Sequence, residues 1–182
     1  INSGREKGAG IRVIKDGNTA YVYTNDLSGE GLLKAATVAK HFANAKNATE
    51  REIDLRLKKP RLEMEFKRLP GTVGFDEKIE KILSANQTAR SVSEEIRQVT
   101  VAVGDIHKKV QIANSDGELA AGEYARVRMI VSTIASRAGI TQTGYESAGS
   151  VSGWEILDKI SFDDMARKAA NLSVNMLSAR PA

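Results

Sequence analysis

No cysteine occurs anywhere in the 182 residues. Disulfides and thiolate metal sites are therefore excluded, and a reducing setting, the cytoplasm, is expected. Histidine is nearly as scarce, with only His41 and His107 present. A hydrolytic zinc centre needs three protein ligands beside its water, and no His-Glu-x-x-His pair occurs to begin one. Both histidines read as surface residues. No apolar run approaches the ~20 residues of a membrane-spanning helix, so no membrane partner is expected. The opening residues are polar and do not form a signal peptide. Aromatic residues make up only 5% of the chain.

The net charge is +4, and the excess lies in the first half. Arg56, Lys58, Lys59, Arg61, Lys67 and Arg68 outnumber Glu63 and Glu65 there. Nucleic-acid platforms interleave such cations with stacking rings. Phe66 is the only ring in this stretch, so a solvated linker or helix face is expected and a nucleic-acid partner is not. Gly4, Gly8 and Gly10 suggest a phosphate loop at first sight. No Gly-Lys-Ser/Thr follows them, and the next element is strand-like rather than helical, so they read as an entry into a hairpin. No Gly-x-Ser-x-Gly elbow is present. The adjacent acids Glu94-Glu95 and Asp163-Asp164 suit helix starts better than acid–base chemistry. Trp154, beside a run of small residues, reads as a core anchor.

The periodicities predict an α+β fold, with antiparallel hairpins and a meander packed against several helices. Residues 11–15 and 19–24 are rich in β-branched and aromatic side chains, and Asp16-Gly17 between them is a tight-turn pair. Ser28 can cap a helix with Leu32, Leu33, Ala36, Ala39 and Phe42 inward. Over about 44–74 the signal weakens, and Pro60 and Pro70 interrupt it. A second helix is predicted over about 75–89, with Phe75, Ile79, Ile82 and Leu83 inward. Strands are expected at 96–103 and 106–113 with Gly104-Asp105 as the turn, then at about 124–135 and 140–146. Val99, Val101, Val103, Val110, Ile112, Val127, Met129 and Val131 should be their buried face. A short helix is expected from Trp154. In the last helix Ser161 is the cap, and Phe162, Met165, Ala166, Ala169, Leu172 and Met176 form the apolar stripe.

Three stretches carry a family likeness. The first is Ser3-Gly4-Arg5-Glu6-Lys7-Gly8-Ala9-Gly10-Ile11-Arg12-Val13-Ile14, followed by Tyr23-Thr24-Asn25-Asp26-Leu27-Ser28. The second is Ala113-Asn114-Ser115-Asp116-Gly117-Glu118-Leu119-Ala120-Ala121 with the strand bearing Arg126 and Arg128. The third runs over 149–154 and ends with Asn175-Met176-Leu177-Ser178-Ala179-Arg180-Pro181-Ala182. In order and spacing they resemble the TldD side of the TldD/PmbA family of zinc metalloproteases, once labelled modulators of DNA gyrase.

The resemblance implies a single amino-terminal domain over 1–182, loosely connected at about 44–74, with a catalytic domain to follow residue 182. It implies zinc in the whole protein, held by a later His-Glu-x-x-x-His helix, and no catalytic, cofactor-binding or metal residue in this chain. Its implied partners are small or unfolded peptide substrates and a second subunit, as a homodimer or a heterodimer with a PmbA-like protein. A PmbA-type scaffold subunit without its own metal is the alternative. The charged edge of the first hairpin, Arg5, Lys7, Arg12 and Lys15, is the candidate peptide contact, because an exposed strand edge can pair with an extended peptide.

Overall fold

A computed structural model describes residues 2–44, 52–58 and 64–179. The tail 180–182 of the third family-like stretch and parts of the weak 44–74 connection lie outside the described residues. The contacts divide the chain into two units, Ile1–Glu52 and Ile53–Ala182. The division falls within the connection at about 44–74. The fold is α+β.

In the first unit, β1 (Ala9–Lys15) and β2 (Asn18–Thr24) form an antiparallel hairpin. Asp16 and Gly17 turn it with φ of 50° and 81°, the doubly positive pair that matches strand twist. Helix α1 (Gly29–Phe42) starts at Ser28, whose hydroxyl accepts from the Gly31 N–H at 3.0 Å. Its inward face is made of alanines: Ala35, Ala39 and the following Ala43 are buried. Leu33 and Phe42, expected inward, are 69% and 71% exposed. The helix lies on a hairpin whose inner face centres on Ala20 and Val13, and this close approach admits small residues rather than large ones.

In the second unit, β3 (Arg56–Lys58) pairs parallel to the start of β5 (Glu118–Arg137). On either side of β5 run β4 (Ile96–Ala113) and β6 (Ile140–Ser150), both antiparallel to it. Helices α2 (Phe75–Ser91) and α3 (Phe162–Met176) pack on one face of this sheet. Short 3-10 turns at Pro70–Thr72 and Trp154–Asp158 close the ends of that layer. The β4–β5 connection is held by Asn114, whose side-chain oxygen accepts from the N–H groups of Asp116 and Glu118.

Several expectations are corrected. Gly104-Asp105 is not a turn: β4 runs through it unbroken, in register with Arg128 and Val127. Strands β5 and β6 extend beyond 124–135 and 140–146, because each pairs along nearly the full length of its neighbour. Val127, Met129 and Val131 are fully buried, while Val99, Val101, Val103 and Val110 are half-buried. Ile112 is 64% exposed, on the sheet face away from the helices. In α2, Ala85 and Ala89 go inward, and Phe75 and Leu83 do not. In α3 the cap is as expected, with the Ser161 hydroxyl accepting from the Asp164 N–H at 3.1 Å. Its stripe bends from Ala169 to Ala170, Ser173 and Leu177, leaving Leu172 and Met176 exposed. Polar pairing accounts for the difference. The buried Thr133 hydroxyl donates to the Ala169 carbonyl at 2.9 Å and meets the Ser173 hydroxyl at 2.9 Å. Those bonds fix which face of α3 meets β5.

Candidate functional site

Strand alternation sorts the hairpin charges. Arg12 lies opposite Tyr21, and Gly10 opposite Tyr23, on the face turned away from α1. Tyr21 and Tyr23 are 62% and 64% exposed there. Each phenol crosses onto a glycine one step along. A Cβ built on Gly10 would sit 2.1 Å from the Tyr21 hydroxyl, and one on Gly8 2.1 Å from that of Tyr23. The glycines thus make room for two rings lying over the strand. Lys15, three residues beyond Arg12, belongs to the opposite face, with its ammonium 3.5 Å from the Asp16 carboxylate. Arg5 and Lys7 precede β1 in irregular chain. No contact joins the four cations. Arg12 alone is placed beside the exposed tyrosines, and β1 pairs only with β2 among the described residues.

The other sequence candidates have structural partners. His41 is exposed at the end of α1, edge-on to Phe42. His107 on β4 meets the Glu123 carboxylate across the strand pair. Glu95 takes a two-pronged bond from Arg137, which holds its carboxyl below the usual carboxylate range. Asp163 accepts from the Ser84 hydroxyl at 2.9 Å, and Asp164 pairs with Arg167 at 2.6 Å. Among the described residues no three of His, Cys, Asp and Glu converge to hold a metal ion. The donors present do not fit a zinc centre, and no hydrolytic step is assigned to this chain.

Two polar clusters escaped the sequence. Asp105 is the hub of the first. Its Oδ2 lies 2.6 Å from the Lys78 ammonium and 2.7 Å from the Trp154 indole nitrogen. Lys78 also donates to the Pro70 carbonyl at 3.0 Å and stands 5.1 Å from the Trp154 ring centre, within cation–π range. Trp154 itself is 1% exposed, the core anchor its sequence context suggests. In the second cluster the Glu155 carboxylate accepts from the backbone N–H groups of Gly153 and Arg68. Burial pushes its carboxyl up, but backbone hydrogen bonds from Glu155 itself, Gly153, Arg68 and Lys67 outweigh that and leave it below the usual range. The Trp154 N–H donates to the Arg68 carbonyl at 2.7 Å, closing the clamp. Reading Gly104-Asp105 as a turn hid the first cluster. The second joins backbone segments far apart in sequence and leaves no periodic signal.

Known proteins give the geometry its context. Residues 1–43 match the PmbA/TldA metallopeptidase domain 1, and residues 68–177 match the PmbA/TldA metallopeptidase central domain. A metalloprotease of Methanothermobacter thermautotrophicus is 27% identical over 186 residues, covering 100% of this chain and 39% of its own length. A metalloprotease of Methanocaldococcus jannaschii is 28% identical over 185 residues, covering 100% of this chain and 40% of its own. The chain therefore spans about two fifths of the length of these curated relatives. Among solved structures, a putative modulator of a DNA gyrase from Thermotoga maritima superposes with a TM-score of 0.75 at 19% identity. It covers 96% of this chain and 39% of its own, and at that identity the likeness concerns the fold. No helix among the described residues is long and apolar enough to cross a membrane.

Proposed function

Because the chain belongs to the PmbA/TldA metallopeptidase family, we propose that it is the non-catalytic amino-terminal portion of a TldD-like cytoplasmic zinc metallopeptidase acting on small or unfolded peptides. The carrying observation is the succession of domain 1 and central domain along one chain that aligns throughout with two metalloproteases. Zinc and the hydrolytic groups belong, in this reading, to parts of the protein other than this chain. The chain helps wall the chamber of a homodimer, or of a heterodimer with a PmbA-like subunit.

The hairpin supplies substrate access. An extended peptide presents backbone N–H and C=O groups whatever its sequence, and an unpaired strand edge can bond to them. Arg12 sits on β1, with Arg5 and Lys7 leading into that strand and Lys15 at its end. Positive charge along such an edge also deters pairing between copies. The test is Arg12→Glu in the full-length protein. Peptide turnover should fall mainly through a raised KM, with dimerisation and thermal stability unchanged. Unchanged KM and kcat across several peptides would leave the hairpin as architecture. A full-length protein that cleaves no peptide when loaded with zinc would point instead to a PmbA-type scaffold subunit.

A further inference from the structure

The β4–β5–β6 sheet carries helices on one face, and nothing covers the other among the described residues. Register fixes which side chains share the open face. Arg128 on β5 lies between Gly104 on β4 and Gly149 on β6. Arg126 is opposite Ile106, and Tyr124 opposite Lys108. Both arginines, both glycines, Ile106 and Lys108 are exposed.

Three residues of this face, Arg126, Arg128 and Gly104, have no role in holding the described residues together. Arg126 and Arg128 make no ion pair or hydrogen bond among the described residues, whereas Arg68, Arg137 and Arg167 in the same unit each hold a carboxylate. The one carboxylate on these strands that shares the face is Glu118. It lies about 27 Å along β5 from Arg126 and is already bound by Lys58 and Asn114. Gly104 has no positive φ, and a Cβ there would meet nothing within 4 Å. A glycine inside a strand weakens it and commonly marks the close approach of another backbone. Gly104 thus leaves a hollow beside Arg128, whereas a Cβ on Gly149, across β5, would meet the Val127 carbonyl oxygen at 3.2 Å.

We propose that this face docks an acidic protein segment in extended conformation. Arg126 and Arg128 fork onto carboxylates at alternate positions of that segment, and its backbone crosses the hollow at Gly104. The spacing matches: alternate residues of one strand lie about 7 Å apart on the same side, as do alternate acids of an extended partner. Guanidinium groups take planar carboxylates in two-pronged bonds. A nucleic-acid backbone fits less well. The face offers Arg126, Arg128 and Lys108, with Arg56 and Lys58 of β3 at its far end and Lys58 already bound to Glu118, fewer than the about 6–10 contacts typical of phosphate-driven binding. Tyr124 is half-buried, and the exposed Tyr145 lies beyond the arginines toward the other end.

The probe is a fluorescein-labelled peptide of alternating Glu and Ser, read by anisotropy on the full-length protein at low salt. Its Gln-for-Glu counterpart and an oligothymidylate of equal charge are the controls. The Glu peptide should bind, and the Gln peptide and the oligonucleotide should bind about tenfold more weakly or not at all. Arg126→Gln/Arg128→Gln should raise Kd about tenfold or more without lowering Tm, since neither side chain has a partner to lose. Gly104→Val keeps every charge and suits a strand, yet should raise Kd similarly by filling the hollow. The proposal fails if the Glu peptide does not bind, or if the arginine variant binds it as well as the parent does. It fails equally if Gly104→Val leaves Kd unchanged or the oligonucleotide binds more tightly than the peptide.

Discussion

Asp105 is where removing one carboxylate should cost the second unit most. The side chains of Lys78 and Asp105 are 15% and 22% exposed, so their charges are partly withdrawn from water. Asp105→Ala strands the Lys78 ammonium between the Trp154 and Phe75 rings with only the Pro70 carbonyl to bond. It also leaves the indole N–H of the buried Trp154 without its acceptor. Losing one partner of a fully buried ion pair costs about 3–5 kcal/mol. Discounted for the residual exposure, about 2–3 kcal/mol is expected here. Asp105→Asn keeps an acceptor for Trp154 and removes only the charge, for about 1–2 kcal/mol. In a domain of this size each kcal/mol lowers Tm by about 2–4 °C. Trp154 is the only tryptophan, so its fluorescence during urea unfolding reports on the second unit. A double-mutant cycle with Lys78→Met isolates the pair, and a coupling of about 1–2 kcal/mol is expected. A coupling under about 0.5 kcal/mol would refute the hub, leaving Asp105 as a surface acid that touches its neighbours without holding them.

Two further substitutions probe the same layer. Gly144→Ala would place a Cβ 1.9 Å from the Ala169 carbonyl oxygen, so β6 must withdraw from α3; the cost is about 1–3 kcal/mol or more, and an unaltered urea midpoint would show that the contact is loose. Glu155→Gln tests pH dependence: the folded carboxyl titrates below its usual value, so its contribution is present above the unfolded pKa of about 4.3 and is lost as pH falls through the folded pKa. Tm against pH should therefore fall less steeply on the acid side for Glu155→Gln, from a lower neutral plateau, and superimposable acid limbs would rule the clamp out.

Local chemistry made part of this fold legible. Asp16-Gly17 adopts the doubly positive turn that its residue types favour, and Ser28 and Ser161 cap the helices they precede. These features depend on a few consecutive residues, so sequence carries them. The helix faces were harder because periodicity weighs apolar size, while packing here is set by distance. In α1 and α2 the alanines meet the sheet, and Leu33, Phe42 and Leu83 stand outside. Gly104-Asp105 has the composition of a turn, but pairing with β5 along the whole of β4 overrides it. The candidate edge shows the same limit. Sequence groups Arg5, Lys7, Arg12 and Lys15, yet strand alternation sends Arg12 and Lys15 to opposite faces, and the chain before β1 has no regular form.

Where the partners lie separates scaffold from surface. The buried hydroxyls of Thr133 and Ser173 satisfy each other and the α3 backbone, Asp105 joins Lys78 to Trp154, and Glu155 holds backbone N–H groups. Groups so committed cannot reorganise around a substrate without giving up their bonds, and leaving a buried polar group unpaired costs about 1–3 kcal/mol. Arg12, Arg126 and Arg128, without an ion pair or hydrogen bond among the described residues, lie on the sheet faces turned away from the helices. Long basic side chains held upright on a strand lose little by exchanging water for a ligand's carboxylate or backbone. The two recognition surfaces proposed above are the outer faces of the two sheets, and the alanine-lined contacts behind them hold the strands that carry those faces.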